Sequence, residues 1–284
     1  MFPVKDIVIH GVRSVYYDSG PSSNNEAVVF VHGNPGPMDS WETLTPRVTS
    51  FARVIAMDLP GFGRAEHPYE FDFSVAGYAR YLGNLLDQLE LHKVHLVMHD
   101  FGAPFALEWA RAQPSSRVAS LTLINSGILR GYRWHRYARM WQKPLLGELV
   151  QLCATPRMIR KGLNWRNPKP LPREFCDEVA RYADWAHKRA VLKLYRASRD
   201  LEALIERGLR ECAGTMPPTC VIWGEQDPYI PPHYAHAQRE FFPRAEINLL
   251  PGLGHWPFVD DAALVGDILT HFLQRQLQEP VAAQ

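Results

Sequence analysis

Five short polar motifs stand directly or shortly after apolar runs, and their residue types are those used in nucleophilic catalysis. In chain order the motifs are His32–Pro35, Asp58–Gly63, His99–Gly102, Asp227 and Gly254–Pro257. If the apolar runs are parallel strands, these motifs lie at the carboxyl ends, where open α/β sheets hold their functional groups. The sequence therefore predicts one composite site at one edge of a sheet.

Asp100 occupies the position of a nucleophile on a sharp strand-to-helix turn, with Gly102 two residues later. No Gly-x-Ser-x-Gly sequence occurs in the chain, which disfavours a serine esterase or lipase. A carboxylate is ionised near neutrality and needs no base to attack an electrophilic carbon. It can displace a leaving group from an sp³ carbon and form an alkyl ester.

Hydrolysis of such an ester needs a base that activates water, and His255 is the candidate. Asp227 is the candidate acid that fixes the tautomer of His255 and stabilises its imidazolium form. The backbone N–H groups of Phe101 and Asn34 are the predicted oxyanion hole for the tetrahedral intermediate.

The elements around these motifs alternate between strand-like and helical patterns. A helix is predicted over Ser74–Leu89 with Ser74 as its cap, and further helices over Ala103–Ala112 and Ala262–Gln276. Strand-like runs cover residues 7–17, 27–31, 53–57, 94–98, 118–124, 220–223 and 246–250. This alternation predicts an α/β fold with parallel strands whose two faces are covered by helices.

Between residues 128 and 216 the alternation stops and the apolar spacing becomes helical. Residues 128–213 contain 19 Lys and Arg against 9 Asp and Glu, a balance of +10 that leaves −9 for the rest of the chain. The sequence predicts a helical cap over 128–216 on a core formed by 1–127 and 217–284. The arginines are interpreted as a solvated surface, or alternatively as charges that assist docking of the cap.

Composition excludes several other classes. A net charge of +1 over 284 residues argues against a nucleic-acid binder, and no apolar run approaches the roughly 18 residues that span a bilayer. The N-terminus lacks the pattern of a secretion signal, and the four cysteines lack metal spacing, so a cytoplasmic protein with reduced thiols is expected. His92, His95 and His99 do not form a metal motif. No cofactor or metal is implied, and a monomer and a homodimer remain equally open.

Nearly the whole chain resembles the α/β-hydrolases, in which nucleophile, acid and histidine follow one another in this order. The aspartate at the turn narrows the resemblance to the branch of epoxide hydrolases and haloalkane dehalogenases. The resemblance implies a mostly parallel eight-stranded sheet flanked by helices, with the cap inserted after the sixth strand.

Epoxide hydrolases stabilise the opened oxygen with two cap tyrosines. The corresponding positions here are Tyr137, five residues before Gln142, and Tyr195, which precedes Arg196; Tyr132 is the substitute for Tyr137. The resemblance also implies that His32 and Pro35 lie at the substrate pocket, together with Trp141 and Trp256. The expected partners are a lipophilic epoxide and water.

Haloalkane dehalogenases usually carry a tryptophan directly after the nucleophile, where this chain has Phe101, which lacks an N–H donor in its side chain. Haloacetate dehalogenases carry an arginine there. Asn34 and a cap tryptophan could still bind a halide; the candidates are Trp134, Trp141, Trp165 and Trp185. The sequence thus predicts an epoxide hydrolase, with a haloalkane dehalogenase and a non-catalytic ligand-binding protein of the same fold as alternatives.

Overall fold

The computed structural model describes residues 3–21, 25–199, 201 and 217–278. Eight strands form one sheet in the order β1-β2-β4-β3-β5-β6-β7-β8. The strands are β1 (Val4–Ile9), β2 (Val12–Asp18), β3 (Glu26–Val31), β4 (Val54–Met57), β5 (Lys93–His99), β6 (Val118–Ile124), β7 (Thr219–Gly224) and β8 (Glu246–Leu250). β1 pairs with β2, and β2 with β4, in antiparallel fashion, whereas the other pairings are parallel. The predicted mostly parallel eight-stranded sheet is confirmed.

The single strand predicted over residues 7–17 is wrong. His10 and Gly11 both have positive φ, 48° and 79°, and reverse the chain between β1 and β2. The two strands pair from Ile9 with Val12 out to Val4 with Tyr17. The alternating pattern continues through both strands of this hairpin, so periodicity alone does not reveal the turn.

Helices cover both faces of the sheet. α2 (Val75–Gln88) and α3 (Gly102–Arg111) pack in one core cluster, and α1 (Thr45–Thr49) and α11 (Ala262–Gln278) in the other. The predicted cap of α2 is present, since Ser74 Oγ accepts the Gly77 N–H at 3.1 Å. The remaining core helices are short: 3₁₀ turns at Met38–Trp41 and Gln238–Glu240, α9 (His233–Ala237) and α10 (Pro257–Asp260).

The cap lies between β6 and β7, as predicted. It consists of α4 (Arg136–Trp141), α5 (Leu146–Cys153), α6 (Pro156–Leu163), α7 (Arg173–Arg181) and α8 (Trp185–Ala197). The predicted boundary at 216 and Cys212 lie outside the described residues. Buried residues of α8, Val191 and Leu194 among them, belong to the same cluster as α2 and α3, so the cap and core share one apolar interior.

None of the described helices combines the length and the apolar character that crossing a lipid bilayer requires.

Candidate active site

Asp100 stands on a tight turn between β5 and α3. Its φ is +50°, in the left-handed region that non-glycine residues seldom occupy. Two glycines make room for the turn, because a Cβ on Gly102 would collide with the Val31 carbonyl and a Cβ on Gly33 with the Asp100 carboxylate. Ser126 Oγ donates a hydrogen bond to the backbone carbonyl of Asp100. The turn thus presents a carboxylate at the end of β5, where the sequence placed it.

The Asp100 carboxylate meets the predicted oxyanion donors. Asn34 N–H donates to Asp100 Oδ1 at 2.7 Å, and the Asn34–Pro35 peptide is cis. Phe101 N and Asp100 Oδ1 face the same small space, because both would crowd a Cβ placed on Gly33. The two N–H groups are therefore close to the carbon that water would attack in an ester of Asp100.

His255 and Asp227 meet Asp100 as the sequence predicted. His255 Nε2 lies 3.7 Å from Asp100 Oδ2, and His255 Nδ1–H donates to Asp227 Oδ2 at 2.7 Å. Burial opposes a charge on His255, but the two carboxylates outweigh it and raise the pKa of the imidazole to about 10. Burial likewise opposes ionisation of Asp100, yet His255 keeps the pKa of that carboxyl below its usual value.

The second acid is held by four hydrogen bonds. Besides His255, Asn125 Nδ2 donates to Asp227 Oδ2 at 2.7 Å, and the N–H groups of Tyr229 and Ile230 donate to Oδ1 at 2.7 and 2.9 Å. Donors around a buried carboxylate stabilise its ionised form. The four hydrogen bonds thereby fix the orientation of Asp227 behind His255.

His99 and Asn125 are site residues that sequence reasoning missed. His99 lies fully buried beneath the site, and its Nε2–H donates to the backbone carbonyl of His255 at 2.8 Å. Burial lowers the pKa of His99 to about 3, so its ring is neutral. The signal in the sequence was present, since His99 begins a strand-end motif and Asn125 directly follows a strand, but their partners are more than 90 residues away.

A cavity of about 250 Å³ opens above Asp100 between core and cap. Its walls are mainly apolar and aromatic, which suits a lipophilic small molecule. Pro35, Trp141 and Trp256 line it, as expected. Core lining groups also include Asp100, Phe101 and His255, and the cap contributes Trp134, His135, Tyr137, Val150, Met158 and Tyr195.

His32 does not line this cavity, so the prediction that it lies at the substrate pocket is wrong. Both of its ring nitrogens hold the backbone: Nδ1–H donates to the Gly33 carbonyl at 2.9 Å, and Nε2 accepts the Leu59 N–H at 3.0 Å. Burial lowers the pKa of His32, in agreement with a neutral ring. His32 joins two strand-end loops beneath the site.

Tyr195 reaches the site from α8. It is buried, and its hydroxyl oxygen accepts a hydrogen bond from Asn34 Nδ2 at 3.2 Å. The Tyr195 proton is therefore directed elsewhere and can be donated to a ligand in the cavity. Burial, together with the Asp100 charge, raises the pKa of Tyr195 well above its usual value, which keeps the phenol protonated.

Tyr137 and Tyr132, the other two candidate donors, differ from each other in the hydrogen bonding of their hydroxyl groups. Tyr137 is half-buried, lines the cavity and stacks on Trp141, with ring centroids 6.1 Å apart. The Tyr137 hydroxyl has no hydrogen-bond partner among the described residues. Tyr132 donates its hydroxyl proton to the Tyr229 carbonyl at 3.2 Å, so it is the less suitable donor for a ligand.

His135 is a further cavity residue that the sequence did not single out. It caps α4, where Nδ1 accepts the Ala138 N–H at 3.3 Å, and its ring lies 6.2 Å from that of Tyr195. Burial lowers its pKa to about 4. His135 therefore adds a neutral imidazole to the cap side of the cavity.

One cap loop contacts the loop that carries His255. Asn167 Nδ2 donates to Asp260 Oδ1 at 3.0 Å, and the other oxygen of Asp260 accepts the Gly254 N–H at 2.7 Å. A Cβ on Gly254 would collide with Asn167 Oδ1, so the loops touch at the residue before His255. The position of the histidine and the seating of the cap thus depend on the same carboxylate.

The described residues contain no group of three or more His, Cys, Asp or Glu suited to hold a metal ion.

The chain belongs to the alpha/beta hydrolase fold family, whose model matches residues 26–262. A 2-hydroxymuconate semialdehyde hydrolase of Pseudomonas sp. strain CF600 is 26% identical over 93% of both chains. A haloalkane dehalogenase of Mesorhizobium japonicum is 33% identical over 51% of this chain and 45% of its own. The crystal structure of the haloalkane dehalogenase DatA from Agrobacterium tumefaciens C58 superposes with a TM-score of 0.83, at 21% identity and 96% coverage of each chain, and shares the fold.

Proposed function

We propose that this α/β-hydrolase opens epoxides to vicinal diols through an ester formed on Asp100. The observation that carries the proposal is the pairing of two groups at Asn34: its N–H binds the Asp100 carboxylate at 2.7 Å, and its side-chain amide binds the Tyr195 hydroxyl at 3.2 Å. A nucleophilic carboxylate and a protonated phenol thereby face the same end of the cavity. An epoxide needs both, one for its carbon and one for its oxygen.

In the first step Asp100 attacks an oxirane carbon. A C–O bond to the carboxylate forms as the ring C–O bond breaks, and the electron pair stays on the former ring oxygen. Tyr195 and Tyr137 donate hydrogen bonds to this oxygen, and the phenol proton of Tyr195 converts it to a hydroxyl group. Stabilising charge that develops in the transition state is the principal way such donors accelerate a reaction.

In the second step water adds to the ester carbonyl while His255 takes its proton. Alkylation has by then neutralised Asp100, which removes one of the two carboxylates that raise the pKa of His255, so the ring becomes able to act as a base. The N–H groups of Asn34 and Phe101 bind the oxyanion. Collapse of the intermediate releases the diol, whose oxygen takes the proton from His255, and leaves one water oxygen in Asp100. The second proton of the water leaves the regenerated carboxylate and restores the phenol of Tyr195.

A single turnover in ¹⁸O-water tests the ester directly. With styrene oxide and an excess of enzyme, the label is expected in the peptide that contains Asp100, because water attacks the carboxylate carbon. His255→Gln is expected to stop after the first step and accumulate a protein adduct whose mass exceeds that of the enzyme by one epoxide. Label found solely in the diol contradicts the proposal, and Asp100→Ala is the control without adduct.

A haloalkane dehalogenase is the second candidate, because one observation favours it. Trp141 lines the cavity, and its buried indole N–H has no hydrogen-bond partner among the described residues. Together with the Asn34 amide it could bind a departing halide. The haloalkane dehalogenases among the relatives support the same chemistry at Asp100.

Substrates and one variant separate the two candidates. An epoxide hydrolase forms diol from styrene oxide and loses this activity in Tyr195→Phe, whereas a dehalogenase releases bromide from 1-bromobutane and loses that activity in Trp141→Phe. Bromide release without any diol would replace the first candidate by the second. Tight binding of either compound without turnover would leave a ligand-binding protein.

A further inference from the structure

The outer surface of the cap carries apolar side chains where a surface helix normally has polar ones. Leu149 and Leu152 on α5 continue, at helical spacing, from Leu145 directly before this helix. The three are 58%, 64% and 84% exposed in that order, and Met158 at the start of α6 is 54% exposed. Single exposed leucines are ordinary, but a contiguous group on one helix face indicates a contact surface. The inner side of α5 is occupied by Val150 and Gln151, which line the cavity.

Basic residues surround this apolar face. Residues 136–169 hold eight Lys and Arg and one acidic residue, Glu148, whose carboxylate is bound by Arg196. Next to the start of α5 lies a surface depression of about 450 Å³. Four of its six lining residues are cationic: it is formed by Arg136, Arg139, Met140, Gln142, Lys143 and Arg199.

These cations are not used to hold the cap on the core. No carboxylate of the described chain pairs with Arg136, Arg139 or Lys143, whereas Arg160 pairs with Asp177 and Arg196 with Glu148 inside the cap. Their positive charge is directed to the outside, beside the exposed leucines. The arrangement matches a surface that offers phosphate groups next to hydrocarbon.

We propose that this face, the α5 face with the adjoining basic depression, docks the enzyme on a membrane surface rich in anionic phospholipid. Lipid phosphates bind in the depression near Arg136, Arg139 and Lys143, and Leu145, Leu149 and Leu152 enter the boundary between headgroups and acyl chains. The docking is peripheral. It deepens the proposed function, because it assigns lipophilic epoxides dissolved in a membrane as the substrate class.

The position of the cavity mouth supports this substrate class. Met158 is more than half exposed and also lines the cavity, so the cavity approaches the surface at the start of α6, the helix that follows α5 in the chain. Ala154 and Ile159 line the cavity beside it. A lipophilic molecule can therefore pass from the acyl boundary into the cavity without crossing bulk water.

Flotation with phospholipid vesicles tests the docking without any substrate. The full chain is expected to float with vesicles of phosphatidylcholine containing 30% phosphatidylglycerol, to float about tenfold less with phosphatidylcholine alone, and to be released by 0.5 M NaCl. The double variant Arg136→Glu/Arg139→Glu and the double variant Leu149→Ser/Leu152→Ser are each expected to weaken partitioning at least tenfold. Matched controls on the core, Arg239→Glu/Arg244→Glu and Leu264→Ser, change exposed residues of the same types and are expected to float like the wild type.

Equal partitioning of the cap variants and the core controls overturns the proposal, as does equal binding to both kinds of vesicle. Sedimentation velocity without lipid provides the other outcome: a dimer that dissociates in Leu149→Ser/Leu152→Ser shows that a second copy covers this face, and the proposal fails. Turnover of a water-soluble epoxide without vesicles is expected to be unchanged in all these variants. Loss of docking and loss of the proposed activity are therefore separate results.

Discussion

A charged carboxylate at position 100 has to be kept ionised inside an apolar cavity. Two groups do this: the Asn34 N–H on one oxygen, and on the other His255, whose ring is backed by Asp227. Each supplies positive charge or a donor that water would otherwise supply. In the proposed mechanism the same contacts make His255 respond to alkylation of Asp100, because the ester carries no negative charge.

The two cap tyrosines are not equivalent, and their replacement is expected to show it. Tyr195→Phe removes the buried phenol that Asn34 orients and is expected to slow ring opening by about 10²-fold. Tyr137→Phe removes a half-buried phenol without a described partner and is expected to have a smaller effect. Single-turnover adduct formation measures this step directly; equal losses, or the larger loss in Tyr137→Phe, contradict the assigned difference.

His99 is predicted to act as a positioning residue for His255. In His99→Leu the His255 carbonyl loses its donor, and the free energy of unfolding is expected to fall by about 1–3 kcal/mol. Because the loop of His255 is then less well held, ester hydrolysis is expected to slow more than ester formation, so that adduct accumulates in the steady state. His99→Gln, which keeps an N–H donor, is expected to restore part of the hydrolysis rate. A loss of stability without adduct accumulation would mean a purely structural role.

At the scale of elements, the start of α5 carries a residue, Leu145, that lowers local stability but suits the proposed membrane docking. The residue before this helix, Leu145, is the most exposed large apolar residue in the described part of the cap, and its φ of 66° lies where side chains are strained. A glycine is the residue type that fits this backbone. The structure thus retains a leucine at a position where it is unfavourable for folding.

Leu145→Gly is therefore expected to have opposite effects in two measurements. Relief of the backbone strain should raise the free energy of unfolding by up to about 1 kcal/mol in urea titrations. Loss of the apolar side chain should reduce vesicle flotation. A variant that is both less stable and unchanged in flotation would contradict the interpretation of this residue.

The sequence predicts those elements whose signals lie in neighbouring residues, and it does not predict contacts between distant ones. The strands that end in motifs and the helix after Ser74 depend on nearby residues, and their positions agree with the structure within a few residues. The hairpin at His10 and Gly11 was missed because its two strands share one alternating pattern. The roles of His32 and His99 depend on backbone groups 27 and 156 residues away, which no local pattern encodes.

At the scale of the whole molecule, buried histidines set the response to pH. Burial lowers the pKa of His32, and lowers that of His99 to about 3 and those of His135 and His187 to about 4. Below pH 6.5 the unfolded chain binds protons at these positions and the folded chain does not, so stability is lost as the pH falls. His255, with its raised pKa, has the opposite sign: it stabilises the fold fully below pH 6.5, and this contribution is lost as the pH rises towards 10.

Urea midpoints are accordingly expected to be highest near neutrality. On the acid side each such histidine should contribute on the order of 1 kcal/mol per pH unit between pH 6.5 and its own pKa. His187→Gln should lower the slope between pH 5 and pH 6.5, since it replaces the ring that donates to Gly61 in the core by a group that does not titrate. An unchanged slope in this variant contradicts the assignment.

Asp260 binds the cap through Asn167 and the loop before His255 through Gly254. Lifting the cap at this loop removes one partner from a carboxylate whose pKa burial already raises, and so weakens the anchor of the loop that carries the histidine. Entry of substrate and release of product would then require the contact between Asn167 and Asp260 to be broken, whereas attack by water would require it to be formed. In the proposed mechanism, a form with the cap lifted would hold His255 less well and would therefore hydrolyse the ester of Asp100 slowly.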